Sequence, residues 1–243
     1  MGEMFCRTEL LVGKDCMKQI HTKKIIIFGV GGVGSWCAES LVRSGFLAIT
    51  LVDFDVVNLS NCNRQLQATH TTLGQRKTTA LKTRLLDINP HACITECTTM
   101  YSPQTSSQFC LHNYDVIVDA IDTIHNKVHL IREATKTQAF FISSMGAARK
   151  IDPNLIRVSN FWNVEFCSLA RKMRKIIKKG EVPARNFLCV YSIEQNKNAL
   201  ELIENEDAKC QVNGSIAHMT AIFGFTMAAK VIQYVVNGND EKI

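Results

Sequence analysis

Apolar and polar positions alternate along this chain in the manner of an α/β protein. Residues 23–28 (KKIIIF) form a β-branched run that stops at Gly29, the pattern of a buried parallel strand. Residues 35–44 place Trp36, Leu41 and Val42 at helical spacing and stop at Gly45. A second apolar run at 49–52 ends in Asp53-Phe54-Asp55, and a helix over 74–87 is stopped by Asn89-Pro90. Residues 94–100 alternate like a strand. Two more strands, 115–118 and 139–143, flank a helix over 124–137. This alternation predicts a Rossmann-like, doubly wound, mainly parallel sheet with helices on both faces.

Beyond residue 143 the pattern changes. Residues 155–161 read as a strand near the sheet edge, and 188–192 as another. Phe166, Leu169, Ala170, Met173, Ile176 and Ile177 fall on one face of an amphipathic helix. The polar stretch 196–211 is a candidate mobile loop. Residues 215–236, rich in Ala and Met, predict a core helix that packs Gly224 and Ala228 close to neighbours. The expected organisation is a single domain, 1–243, with a nucleotide-binding half (1–143) and an irregular C-terminal extension (144–243).

Composition changes this picture in two places. The chain has 243 residues and a net charge of +6, but residues 149–179 hold nine basic and two acidic residues, so the rest sums to −1. The charge is therefore a patch. It consists of Arg149, Lys150 and Arg157, then Arg171, Lys172, Arg174, Lys175, Lys178 and Lys179 on the polar face of the expected helix. Ten cysteines are present but no Cys-x-x-Cys pair, which argues against a zinc ribbon and for reduced, mostly buried thiols. No apolar run reaches the roughly 18 residues of a membrane span, and the N-terminus lacks a signal-peptide core; a cytoplasmic protein is expected.

The candidate chemistry begins at Gly29-Val30-Gly31-Gly32-Val33-Gly34, between a strand and a helix. Glycines there permit a tight turn and let backbone N–H groups approach a phosphate at the positive helix end. Asp53, ending the next strand, can accept from a ribose. These features fit NAD as well as ATP. The following polar stretch, with Asp55, Asn58, Asn61, Asn63, Arg64 and Gln65, and then Gly74-x-x-Lys77, adds an arginine and a lysine suited to a triphosphate. Asp119-x-x-Asp122 follows another strand and can hold Mg²⁺.

GxGGxG, DxDxVxxSNxNRQ, GxxK and DAxD together resemble the adenylating superfamily of ubiquitin-activating enzymes and their bacterial relatives. The resemblance implies ATP on Gly31 and Gly32, ribose on Asp53, phosphates on Asn61, Arg64 and Lys77, and Mg²⁺ on Asp122. It also implies a homodimer in which Arg7, in Arg7-x-x-Leu10-Leu11-Val12-Gly13, reaches the partner's phosphates. Four later blocks are similar to the tRNA threonylcarbamoyladenosine dehydratase family: Ser144-Met145-Gly146-Ala147, Leu169-Ala170-Arg171-Lys172-Met173-Arg174, Cys189-Val190-Tyr191-Ser192-Ile193-Glu194, and Asn213-Gly214-Ser215 leading to Thr220-Ala221. The chain departs from that family's pattern at Ser168, where a proline usually precedes Leu-Ala, and at Ala148.

The branch implies ATP-dependent cyclisation of threonylcarbamoyladenosine in tRNA. The 144–243 half then faces tRNA, with Arg149, Lys150 and the helical cations on phosphates. Two questions stay open in the sequence. The acceptor can instead be the C-terminal Gly-Gly of a ubiquitin-like sulfur carrier; a sulfur-transfer protein is a candidate partner on the tRNA reading as well. A thiol can also capture the acyl group, for which Cys210 in the polar loop is a better candidate than Cys189 in a strand. Cys167 reads as packing, and His218 as a satisfied core residue.

Overall fold

The computed structural model describes residues 2–195 and 213–238. Two helices, α1 (Gly2–Val12) and α2 (Lys14–Thr22), precede β1 (Lys24–Phe28). Then follow α3 (Gly34–Arg43), β2 (Ala48–Val52), α4 (Lys77–Ile88), β3 (Cys93–Cys97), β4 (Val116–Asp119), α5 (Ile124–Lys136) and β5 (Phe140–Ser144). The C-terminal part supplies β6 (Ile156–Asn160), α6 (Ser168–Ile177), β7 (Leu188–Ser192) and α7 (Ala217–Asn237).

The seven strands are ordered β3-β2-β1-β4-β5-β7-β6, parallel throughout except for the antiparallel β6–β7 pair at one edge. The expected Rossmann-like architecture is present. The extension is more regular than its sequence implies, because β7 joins β5 and continues the same sheet. Alternation along the strands builds two cores. Ile25 and Ile27 of β1 face α3 and α7, whereas Ile26 and Phe28 face α5 and α6.

Strand order reverses between β1 and β4, which opens a crevice at their carboxyl ends. Register aligns that edge: Phe28 pairs with both Val52 and Asp119, so Gly29, Asp53 and Ala120 emerge at one level.

α7 is long and apolar enough to cross a membrane by length and composition alone, a property the sequence reading did not assign to it. Its apolar surface serves the core instead: Met219, Phe223, Met227, Ala228 and Val231 are fully buried. As expected, Gly224 makes the close approach. A Cβ there would lie 2.5 Å from Val33 O and 2.9 Å from Cys37 N of α3. Gly224→Ala should therefore destabilise the fold by about 1–3 kcal/mol, as overpacking does, read as a lower midpoint in urea. An unchanged midpoint would contradict the contact.

The thiols are less buried than expected. All nine described cysteines are free, but only Cys37, Cys167 and Cys189 are buried. Burial pushes the Cys37 thiol up to about 12.

Candidate active site

The crevice is a cleft of about 900 Å³. Its floor is the turn after β1. Gly29 sits at φ +83°, where a Cβ would lie 2.7 Å from Ala120 O; side chains larger than hydrogen are excluded on both counts. Gly29, Gly31 and Gly32 line the cleft. Gly34 does not: it is the first residue of α3, and a Cβ on it would lie 1.9 Å from Gly29 O. The expectation that Gly34 meets the ligand is corrected to one of helix packing against the turn. No side chain caps α3, whose N-terminus adjoins the glycine turn that lines the cleft.

Asp53 fastens this turn. Its Oδ2 accepts from Val30 N at 2.9 Å and its Oδ1 from Asp55 N at 2.9 Å, which leaves lone pairs on both oxygens for a ribose. Lys77, the first residue of α4, is nearly buried, and its Nζ lies 2.7 Å from Asp55 Oδ2. Asp55 is thus the lysine's anchor. Asn61 uses its Oδ1 on the N–H of Asn58 at 3.0 Å, leaving its amide nitrogen to donate. Arg64 Nη1 donates to Ser60 O at 2.9 Å and Asn63 Oδ1 at 2.8 Å, which holds the guanidinium at the cleft wall. Gln65 lines the same wall, and its buried Oε1 has no partner within the described structure. Asp122 is exposed at the opposite wall, with a 3.4 Å contact from Thr123 Oγ1.

Asp119 does something else. With no exposed surface, its Oδ2 lies 2.9 Å from the equally buried Nζ of Lys127 and accepts from Ser143 Oγ at 2.7 Å. Its Oδ1 accepts from Ile121 N at 3.1 Å, while Lys127 Nζ also reaches Ile121 O at 3.0 Å. The Asp119/Asp122 pair expected for a metal is therefore split. Asp119 is locked beneath the loop, and only Asp122 faces the cleft. Among the described residues no group of three or more His, Cys, Asp or Glu is placed to hold a metal.

The second half closes the cleft. Arg149, Lys150 and Lys172 line it rather than lying on an outer face. Lys150 Nζ donates to Glu194 O, and burial holds its ammonium below the usual lysine range. The Glu194 carboxylate accepts from Ile151 N at 2.8 Å and Asp152 N at 3.0 Å, fixing that loop. Thr220 of α7 packs against Gly32 and donates to Ala217 O at 3.0 Å. Glu194 and Thr220 were visible in the sequence blocks but not as cleft residues.

Other expectations separate. Arg171 and Lys175 are exposed on α6, and Lys178 and Lys179 are exposed just after it. Arg174 is not: its Nη1 donates to Val164 O at 2.8 Å and Phe161 O at 3.1 Å, with the guanidinium over the Phe161 ring. Cys167 is buried, and its Sγ accepts from Ala170 N at 3.5 Å, so it caps α6. Burial raises the Cys189 thiol well above its ordinary value, which removes it as a nucleophile. His218 is exposed, its Nε2 2.8 Å from Ile151 O, and is not a core residue. Arg7 is exposed on α1, away from this cleft. Cys210 lies outside the described residues.

Residues 5–243 match the ThiF family. The chain belongs to the ThiF family. It is 33% identical to the tRNA threonylcarbamoyladenosine dehydratase of Bacillus subtilis over 96% of this chain and 94% of that protein. The Escherichia coli protein of the same name is 29% identical over 95% and 92%. The crystal structure of E. coli tRNA N6-threonylcarbamoyladenosine dehydratase, TcdA, in complex with ATP covers 100% of this chain and 97% of its own, with a TM-score of 0.88 at 27% identity. A molybdopterin-synthase adenylyltransferase of Haemophilus influenzae matches 57% of this chain, at 29% identity.

Proposed function

We propose that this chain is an ATP-dependent dehydratase that converts threonylcarbamoyladenosine beside the anticodon of tRNA into its cyclic form. The observation that carries this reading is one continuous cleft. It joins the glycine turn, Asp53, Arg64 and Lys77 to Arg149, Lys150 and Lys172 from the other half. Nucleotide and acceptor then share one space. Likeness to the dehydratases at 33% identity over 96% of the chain supports the same acceptor, against 25% identity for an adenylyltransferase and sulfurtransferase that covers 91% of it.

The chemistry follows from the leaving group. A free carboxylate would have to expel oxide. Attack of a carboxylate oxygen on the α-phosphorus of ATP releases pyrophosphate and leaves an acyl-adenylate. The carbamoyl nitrogen of the same side chain then attacks the acyl carbon, loses its proton, and AMP departs with the former carboxylate oxygen. Nucleophile and electrophile are already tethered, so proximity lowers the second barrier. Arg64 and Lys77 are positioned to donate to the phosphates as negative charge develops. No protein thiol is required, and a sulfur-transfer partner is not part of this reading.

Asp122 suits Mg²⁺ in the way that ion is commonly bound, through one carboxylate with substrate phosphates and water completing the shell. When bound there, Mg²⁺ would offset charge on the phosphates. A homodimer with Arg7 reaching the partner's nucleotide is supported by exposed apolar side chains beside it, Leu10 (87% exposed) and Leu11 (85%). We place the enzyme in the cytoplasm, as a single adenylating domain.

The decisive experiment incubates the protein with ATP, Mg²⁺ and tRNA carrying threonylcarbamoyladenosine, then weighs the nucleosides. A loss of one water from the modified nucleoside is expected; an unchanged mass, with an active control dehydratase, rejects the reading. Charge reversal at Arg171, Lys175 and Lys178 should weaken tRNA binding and flatten its salt dependence by roughly two to three units of slope, with ATP binding intact. An unaltered salt series in filter binding would mean that this face is only solvated.

A further inference from the structure

Phe166 is out of place for an apolar side chain. Its spacing assigns it to the apolar stripe of the helix, yet it lies two residues before α6 and is 51% exposed. Its neighbours behave normally: Val164 (2% exposed) and Cys167 (8%) are buried. The backbone is what turns Phe166 outward. Its φ is +52°, in the left-handed region that is strained for a bulky residue. Three non-glycine residues adopt positive φ among the described residues, and two of them, Arg149 and Phe166, line the active-site cleft.

The segment is held in this conformation from both sides. Arg174 binds the carbonyls of Phe161 and Val164 just before it, and Cys167 caps the helix just after it. Phe166 is therefore a fixed feature of the cleft wall.

We propose that Phe166 is a stacking platform for a nucleobase of the tRNA substrate. This rests on the tRNA reading above. RNA bases that are splayed out of a loop stack on exposed aromatic rings, while cations nearby hold the flanking phosphates. Lys172 and Arg149 line the cleft with Phe166 and supply those cations. The adenine of ATP is the other flat ring that enters the cleft, and the topology separates the two. Asp53, which suits the ribose, follows β2, whereas the start of α6 packs over the turn after β5, with Leu169 Cβ 3.9 Å from where a Gly146 Cβ would stand. β2 and β5 are three places apart in the sheet, about 14 Å at the usual strand spacing.

The test compares Phe166→Leu, which keeps an apolar side chain but removes the π face, with Phe166→Tyr, which keeps it. Affinity is read by filter binding with tRNA carrying threonylcarbamoyladenosine, and separately with ATP. Phe166→Leu should weaken tRNA binding about 5- to 150-fold, the range of base–aromatic stacking, and raise the KM for tRNA more than it lowers kcat. Phe166→Tyr should bind near the wild-type level, and neither variant should alter ATP affinity. Wild-type tRNA affinity in Phe166→Leu overturns the proposal, as does a loss confined to ATP. If the wild-type protein binds tRNA without cyclising the nucleoside, the functional reading fails, while the Leu and Tyr comparison still decides the stacking. A wild type that binds no tRNA overturns both.

Discussion

Lys127→Met should lower the free energy of unfolding by about 3–5 kcal/mol, the cost of leaving a buried charge without its partner. Lys127 and Asp119 have no exposed surface and stand 2.9 Å apart. Methionine matches the lysine stem but offers nothing to Asp119 Oδ2 or to Ile121 O. Asp119 would keep the N–H of Ile121 and the hydroxyl of Ser143, which is not enough for a carboxylate away from water. Adding Asp119→Asn should restore part of the loss, because the uncharged amide can accept from the Ile121 N–H with its oxygen and donate to Ser143 Oγ with its nitrogen. Urea denaturation of the single and double variants checks this. Equal midpoints for Lys127→Met and wild type would show that the pair contributes nothing net. Activity should fall as well, since the loop tied down by this pair leads directly to Asp122.

Lys77→Ala should instead spare the fold and remove the first chemical step. The Asp55 carboxylate that it anchors to is half-exposed, so water can take over that side of the pair. What is lost is a nearly buried ammonium at the start of α4, aimed where the phosphates of ATP would lie. Loss of one preorganised donor of this kind costs roughly 10²–10³ in rate. Pyrophosphate exchange into ATP in the presence of the tRNA isolates adenylation from ring closure and should fall by that factor. Exchange within about twofold of wild type would remove Lys77 from the mechanism. Ring closure needs no second triphosphate, so a pre-formed acyl-adenylate should still cyclise in the variant.

Much of this molecule can be read from local pattern. β1, β2 and β4 are mostly apolar runs because both faces of a parallel sheet are covered, and the glycine turn and Asp53 follow from where such strands must end. The direction of β6 could not be read, since alternation is the same for parallel and antiparallel neighbours; the chain enters the sheet there at the edge and returns through β7. The role of Asp119 was hidden for a different reason. A carboxylate at a strand end suits metal or lysine equally, and the deciding signal sits eight residues later, where Lys127 interrupts the apolar stripe of Ile124, Val128 and Ile131. Phe166 and Arg174 were misplaced because helical spacing carries no information on where a helix begins or which long side chain folds back onto backbone carbonyls. Lys150 was counted with a surface patch because charge was read from sequence proximity, whereas Glu194 draws it into the cleft.

The packing of α7 against the glycine turn also bears on how the protein is made. Thr220 braces Gly32, and Gly224 lies against the carbonyl of Val33, so the nucleotide floor laid down by the first strand is completed by the last helix. A ribosome that has released β1 through β5 has produced a sheet but not a finished ATP site. The growing chain lacks this packing support until its final helix emerges, and a nonsense codon between α3 and α7 leaves a product with the glycine motif intact and its support missing.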